Sequence, residues 1–142
     1  MASVIEDEEG IARIVRESKR IAVLGIKTEQ QSGQPAFYVP QYLQRAGVDV
    51  VPVPVYFPKV TEILGRPVYR RLIDVPGHID LVDVFRRSQD VAGHLQDILE
   101  KQPKAVWMQL GIREDAVAEK LVAAGIDVVM DRCLMVDHRR YA

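Results

Sequence analysis

The sequence predicts a single doubly wound α/β domain, with a mostly parallel five-stranded sheet and helices on both faces. Short apolar runs rich in β-branched residues alternate along the chain with segments whose apolar residues recur at helical spacing. The chain has 142 residues, of which 48% are hydrophobic and 27% charged. These values are ordinary for one globular domain. We therefore expect residues 1–142 to form one domain.

The predicted elements follow one another in a regular order. A first helix covers about residues 3–19 and has Ser3 as a candidate cap. Helices are also expected at 35–46, 88–102 and 113–124, with a single helical turn at 61–64, and the tail after residue 130 shows only a basic end. Five buried strands are expected at 20–25, 48–53, 80–85, 105–110 and 126–130. Strand–helix–strand units of this kind cross over with a right hand and build a parallel sheet.

Composition and charge argue against several classes of partner. With 19 basic and 20 acidic residues the net charge is −1, so nothing suggests a general attraction to nucleic acid or anionic membrane. The single cysteine, Cys133, permits neither a disulfide within the chain nor a cysteine-based metal cluster. The acidic N-terminus is unlike a secretory signal, and no apolar run approaches the roughly 18 residues that span a bilayer. We expect a cytoplasmic protein.

Ligands of such sheets bind beyond the carboxyl ends of the strands, near the point where the strand order reverses. At the first strand end, Gly25 would let a backbone approach a phosphate, Lys27 would add charge, and Thr28 and Ser32 would donate hydrogen bonds. The spacing is not that of a dinucleotide fingerprint, because the next glycine, Gly33, is eight residues away. A glycine that merely ends a strand at a tight turn is the alternative.

The second strand end carries information about the ligand. NAD sites commonly place an acid there to hold the ribose hydroxyls. No carboxylate occurs from Val50 to Lys59, and Asp49 is early in the strand. The proline-rich lip at 52–54 suits packing on a flat ring such as adenine, although an ordinary rigid loop would look the same. The missing acid argues against NAD.

The third strand is followed directly by Arg86 and Arg87, which could meet a diphosphate or a 3′-phosphate as a fork of donors. They could equally be surface residues that pair with Asp83 or Asp90. Asp83 lies inside the strand, so we expect it to be satisfied within the fold or to face a pocket.

The fourth and fifth strand ends offer one glycine and one thiol. Gly111 permits close backbone approach before a helix, and Trp107 is expected in the core. Cys133 is either a reactive thiol or an inert small hydrophobe. The three histidines have no metal-ligand partner at useful spacing, and no nucleophile elbow or P-loop is present. We therefore assign no catalytic residue and no metal.

Several segments, taken in order, resemble a known family. They are IAVLGIK, YVPQYLQRAGVDVVPV, ILGRPVYRRLIDVP, DLVDVFRR, VWMQLGI and VVMDRCL, and they span roughly residues 15–136. The ordered set is similar to the small bacterial CoA-binding proteins. These look like the N-terminal, Rossmann-like domain of the succinyl-CoA synthetase α subunit standing alone.

The resemblance implies a coenzyme A site at the strand ends. It assigns the CoA phosphates to Gly25, Ile26, Lys27 and Thr28, with Ser32 in the stretch that follows, and the adenine to Pro52, Val53 and Pro54. It assigns the rest of the cofactor to Val84, Phe85, Arg86, Gln109, Leu110 and Gly111. The family's charged residue and hydroxyl before the first crossover helix are replaced by Gln34 and Ala36, which removes part of the expected phosphate contact.

The function expected from these residues is non-catalytic binding of CoA or an acyl-CoA, in a sensor or carrier module. The synthetase's phosphohistidine lies in a second domain for which this chain has no room, so the resemblance implies binding without the ligase reaction. The alternatives are an NAD(P)-dependent oxidoreductase, a CoA-thioester enzyme using Cys133, and a regulatory domain that controls a partner protein. A homodimer is left open.

Overall fold

A computed structural model describes residues 1–142 and confirms the predicted α/β class. The strands are β1 (Arg20–Leu24), β2 (Asp49–Val53), β3 (Glu62–Ile63), β4 (Arg66–Pro67), β5 (Leu81–Val84), β6 (Ala105–Met108) and β7 (Asp127–Val129). Five of them form one parallel sheet in the order β2-β1-β5-β6-β7, while β3 and β4 form a separate antiparallel pair. This is the doubly wound order in which the chain reverses direction across the sheet after the first two strands.

Helices cover both faces of the sheet. They are α1 (Glu8–Glu17), α2 (Pro35–Arg45), α3 (Leu95–Lys101), α4 (Asp115–Ala123) and α5 (Leu134–Tyr141), with short 3₁₀ helices at Glu29–Gln31, Leu72–Asp74 and Ser88–His94. Apolar side chains of α1, α2 and α5 share one buried cluster with alternate strand residues, and those of α3 and α4 share a second. The predicted core residue Trp107 is fully buried in the first of these. No helix combines the length and the hydropathy that crossing a membrane requires.

The first helix begins later than predicted, at Glu8. Asp7 is its cap and accepts a hydrogen bond from the Gly10 backbone nitrogen at 3.1 Å. The residues before it are extended, and Val4 bridges Val128 at the outer edge of β7. A carboxylate at the cap, followed by two glutamates, fits the positive end of the helix dipole better than Ser3 does.

The secondary structure differs from the expectation at three other places. The expected helical turn at 61–64 is a hairpin, because Leu64 and Gly65 both have positive φ angles, of 56° and 71°, and form its two-residue loop. The expected helix at 88–102 is divided into a 3₁₀ segment and α3. The tail forms α5, whose last turn carries His138, Arg139 and Arg140 at the negative end of the helix dipole.

The reversal of strand order lies between β1 and β5. The chain leaves β1 toward β2 on one side, and β5, β6 and β7 follow on the other side. All five carboxyl ends lie at the same edge of the sheet because the strands are parallel. The crossovers therefore diverge above the ends of β1 and β5, where a crevice for a ligand is expected.

Candidate functional site

A cleft of about 580 Å³ lies at the carboxyl edge of the sheet. It is bordered by the β1–α2 loop, the first turn of α2, the loops after β5 and β6, and the residue before α5. Its lining residues are Lys27, Gln34, Pro35, Ala36, Tyr38, Phe85, Arg86, Arg87, Ser88, Gln89, Gln109, Leu110, Gly111, Ile112 and Cys133.

The cleft carries a concentration of positive charge. Its lining includes three cations, Lys27, Arg86 and Arg87, and no aspartate or glutamate. Asp90, outside the lining, lies 3.8 Å from Arg86 and 2.7 Å from Arg87 and offsets part of their charge, which leaves the cleft with a net positive lining in a chain whose net charge is −1. A concave site whose charged side chains are all positive attracts anions.

The two arginines after β5 are held differently. Arg86 is packed, with its side chain 14% exposed, and donates to His94 Nε2 at 3.0 Å and to the Tyr56 hydroxyl at 3.2 Å. Burial, followed by the charge of Arg86, lowers the pKa of His94 and keeps this ring neutral as an acceptor. Arg87 is 71% exposed and pairs with Asp90 at 2.7 Å. Arg86 is therefore a packed part of the wall, and Arg87 is an exposed cation at the rim that is paired with Asp90.

Lys27 is positioned by a proline in α2. Pro40 lies inside the helix and has no N–H to donate to the carbonyl of Ala36. The backbone nitrogen of Lys27 donates a hydrogen bond to that carbonyl instead, at 3.1 Å. The ammonium group of Lys27 donates to the side-chain oxygen of Gln34, the capping residue of α2. α2 thus starts at Pro35 as predicted. The carbonyl that Pro40 leaves free joins the helix to the β1–α2 loop through the Lys27 backbone.

Gln109 and Gly111 fix the loop after β6. Gln109 is only 3% exposed, and its side-chain oxygen accepts from the Leu134 backbone nitrogen at 3.0 Å. Its side-chain nitrogen makes no hydrogen bond within the protein. The backbone nitrogen of Gly111 donates to Asp131 at 2.7 Å. This loop therefore presents one unpaired amide donor to the cleft.

Gly25 has a role that the sequence did not indicate. A Cβ at this position would lie 2.3 Å from the backbone oxygen of Phe85, and the φ angle is +90°. The glycine is therefore required for β1 and β5 to approach each other at the point where the strand order reverses. Any contact of Gly25 with a phosphate would be additional to this packing role.

The structure brings six of the predicted binding residues together in the cleft: Lys27, Phe85, Arg86, Gln109, Leu110 and Gly111. The other eight lie outside its lining: Gly25, Ile26, Thr28, Ser32, Pro52, Val53, Pro54 and Val84. Thr28 is buried and caps the 3₁₀ helix at Glu29–Gln31, so its hydroxyl is already bonded. Pro52 to Pro54 are buried along and just after β2. The ligand contacts of these eight residues stay predictions.

Sequence reasoning missed four lining residues, Tyr38, Ser88, Gln89 and Ile112. Tyr38 is one helical turn after Pro35, which is a signal that could have placed it beside the first loop. Leu110 and Tyr38 are 68% and 37% exposed, so the cationic cleft also has apolar walls. No group of three His, Cys, Asp or Glu side chains is placed to hold a metal.

Comparisons with known proteins agree with this fold. A family model described as a CoA binding domain matches residues 19–139. The uncharacterized protein YneT of Bacillus subtilis (strain 168) is 34% identical over 128 residues, which are 90% of this chain and 91% of YneT. A Thermus thermophilus structure, cell-free ID.343, has a TM-score of 0.87 and 37% identity, and covers 96% of this chain and 100% of that chain.

A larger protein shares the fold only. The dinucleotide forming acetyl-coenzyme A synthetase of Ca. Korarchaeum cryptofilum matches 78% of this chain with a TM-score of 0.64, at 22% identity and over 25% of its own length. The expected likeness to one domain of a larger CoA ligase is therefore confirmed at the level of fold. Since the family model spans nearly the whole sheet and its helices, this chain belongs to the CoA binding domain family.

Proposed function

We propose that the domain binds coenzyme A, or an acyl-CoA, in the cleft above β1, β5 and β6 without carrying out a reaction on it. The observation that carries this proposal is the charge of the cleft, which has three cations and no carboxylate. CoA has a diphosphate and a 3′-phosphate at one end and an uncharged arm at the other. A cationic site with apolar walls matches that distribution.

The cleft has suitable partners for each part of the ligand. Lys27, Arg86 and Arg87 are the phosphate contacts, because they converge from the ends of β1 and β5. Gln109 donates its unpaired amide to a carbonyl of the arm, and Leu110 packs against the arm. The adenine contact predicted for Pro52 to Pro54 requires the base to reach the end of β2. A separate cavity of about 140 Å³, lined by Leu24, Val55 and His94 among others, lies near there.

The composition of the cleft supports binding without chemistry. Its lining has no histidine, aspartate or glutamate, the usual general acids and bases. His94 lies outside this lining and accepts a hydrogen bond from Arg86. A module of this kind would sense or carry its ligand. The thioester-enzyme alternative depends on Cys133, which lines the cleft without a histidine, aspartate or glutamate among the lining residues.

The NAD(P) alternative requires an acidic residue at the carboxyl end of β2, and β2 has none there. Asp49, the one acid of β2, lies at the amino end of the strand and pairs with Arg20 at 3.2 Å and with Arg66 at 2.6 Å. An acid for the ribose hydroxyls belongs at the carboxyl end of this strand.

Calorimetric titration of ligand-free protein tests the proposal, with CoA in one series and NAD in the other. We expect saturable CoA binding that weakens as salt is added, since phosphate contacts at an open cleft are screened. NAD is expected to bind at least about tenfold more weakly, a difference of about 1.4 kcal/mol. Equal affinity for the two, or binding of NAD alone, would overturn the proposal.

A further inference from the structure

The single cysteine of the chain lies in the proposed CoA cleft. Cys133 is half-buried and lines the cleft together with Gln109 and Gly111. It occupies the capping position of α5, yet its side chain makes no capping hydrogen bond. The side chain packs partly against the buried cluster of α1, α2 and α5, and it also borders the space assigned to a thiol-bearing ligand.

We propose that Cys133 captures CoA as a mixed disulfide by exchange with the disulfide form of CoA. This inference rests on the proposed function, because the reagent must first bind in the cleft. It goes beyond that function, because it gives the domain a covalent, redox-dependent state.

The layout of the cleft sets the direction of the bound ligand. The proposed phosphate-binding cations follow β1 and β5, whereas Cys133 lies beside the end of β6, because Arg132 donates to the Met108 carbonyl and Leu134 to the Gln109 side chain. From β1 to β6 the sheet has two strand spacings, about 10 Å in all. The arm of CoA has about as many backbone bonds as four amino-acid residues, and four extended residues also span about 14 Å. The arm of a ligand with its phosphates at Lys27 and Arg86 is therefore long enough to bring its sulfur to Cys133.

Gln109 independently marks the path of the arm. The residue is only 3% exposed, and its side-chain nitrogen makes no hydrogen bond within the protein but is not fully enclosed by it. Its oxygen is held by the backbone nitrogen of Leu134, the residue directly after Cys133. The side-chain nitrogen of Gln109 reaches the cleft and is free to donate to an acceptor of a ligand that fills the space. The carbonyl groups of the arm, close to the sulfur of CoA, are such acceptors.

The exchange is balanced without a further reagent. The thiolate of Cys133 attacks one sulfur of CoA disulfide, the sulfur–sulfur bond of the reagent breaks, and a new bond forms between Cys133 and CoA. The second CoA leaves as its thiolate and takes up a proton from solvent. Cys133 and one CoA sulfur are thereby oxidised to a disulfide, and the departing CoA sulfur is reduced to a thiol.

Intact-protein mass spectrometry over time tests the proposal. Protein is mixed with CoA disulfide or, at the same concentration, with glutathione disulfide. The pH of both mixtures is close to the pKa of an ordinary thiol. We expect a mass gain of one CoA less two hydrogens, reversed by dithiothreitol and absent from Cys133→Ser. The rate with CoA disulfide is expected to saturate, to exceed that with glutathione disulfide at least about tenfold, and to fall when desulfo-CoA is added.

Calorimetric titration with desulfo-CoA separates failure of this inference from failure of the proposed function, since that ligand binds without a thiol. Desulfo-CoA binding together with equal rates for the two disulfides would overturn the covalent capture and leave CoA binding in place. Equal rates with no desulfo-CoA binding would overturn both.

Discussion

Asp83 occupies the middle of β5, level with Val23 of β1 and Trp107 of β6. It is completely buried, and neither carboxyl oxygen has a hydrogen-bond partner. Burial raises the pKa of this carboxyl well above its usual range, so the folded protein holds it protonated. The sequence suggested that Asp83 is either satisfied within the fold or part of a pocket, and the structure shows it to be neither.

The burial of Asp83 predicts a pH-dependent cost to stability. A raised folded-state pKa means that folding takes up a proton once the pH exceeds the unfolded value of about 3.9. Stability is therefore highest below that pH and falls as the pH rises toward the folded-state pKa. Asp83→Asn keeps the size of the side chain and removes the titration.

Urea unfolding between about pH 5 and pH 8 measures this effect. The free energy of unfolding of Asp83→Asn minus that of the parent should increase with pH, by up to about 1.4 kcal/mol per pH unit. Parallel pH curves for the two proteins would show that Asp83 is not protonated by folding.

A second residue-scale prediction compares two glycines with similar backbone angles. Gly25 and Gly111 have φ angles of +90° and +85°, but a Cβ would clash only at Gly25, against the Phe85 backbone. Gly111→Ala should lower the free energy of unfolding by about 1 kcal/mol through strain alone. Gly25→Ala should lower it by more than about 2 kcal/mol. Equal losses in urea unfolding would contradict the close approach of β1 and β5.

At the scale of elements, the loop between β1 and α2 is organised by its own side chains. Thr28 and Gln31 form a capping box around the 3₁₀ helix, and the Lys27 backbone is bonded to the Ala36 carbonyl that Pro40 leaves free. Together these bonds place the ammonium group of Lys27 at the cleft. The loop is therefore shaped before any phosphate arrives.

The capping box gives a prediction for this element. Thr28→Ala should lower the free energy of unfolding by about 1 kcal/mol, because the hydroxyl that caps the Gln30 nitrogen is lost. Thr28→Ser keeps a hydroxyl and should retain most of that stability. Chemical denaturation of both variants measures the difference. If Thr28→Ala were as stable as Thr28→Ser, the hydroxyl would not stabilise the fold. That result would favour its predicted contact with phosphate.

At the scale of the whole molecule, the sequence predicted the sheet well because buried parallel strands have an unambiguous pattern. All five strands occur where apolar β-branched runs were found. The hairpin at Leu64 and Gly65 was missed because a non-glycine residue with positive φ leaves no sequence signal. The tail helix α5 was missed because its apolar face is short and is completed by α1 and α2.

The candidate site was only partly predictable for a related reason. The sequence identifies the strand ends but not which side chains converge there. Tyr38 and Cys133 are far apart in the chain and meet in one cleft only after the sheet has formed. Conversely, Val53 and Val84 are near the strand ends in sequence, but both are fully buried. The position of a residue near the end of a strand thus predicts that it lies near the edge of the sheet. It does not predict whether its side chain faces the cleft.

The claim that this cleft binds CoA through its cations is tested most directly by a matched pair of charge reversals. Arg87→Glu alters the exposed cation at the rim of the cleft, while Arg45→Glu makes the same change at the exposed far end of α2, outside the cleft. Calorimetric titration of both variants with CoA should show the dissociation constant of Arg87→Glu raised about tenfold or more and that of Arg45→Glu close to the parent value. Equal affinities in the two variants would contradict the site.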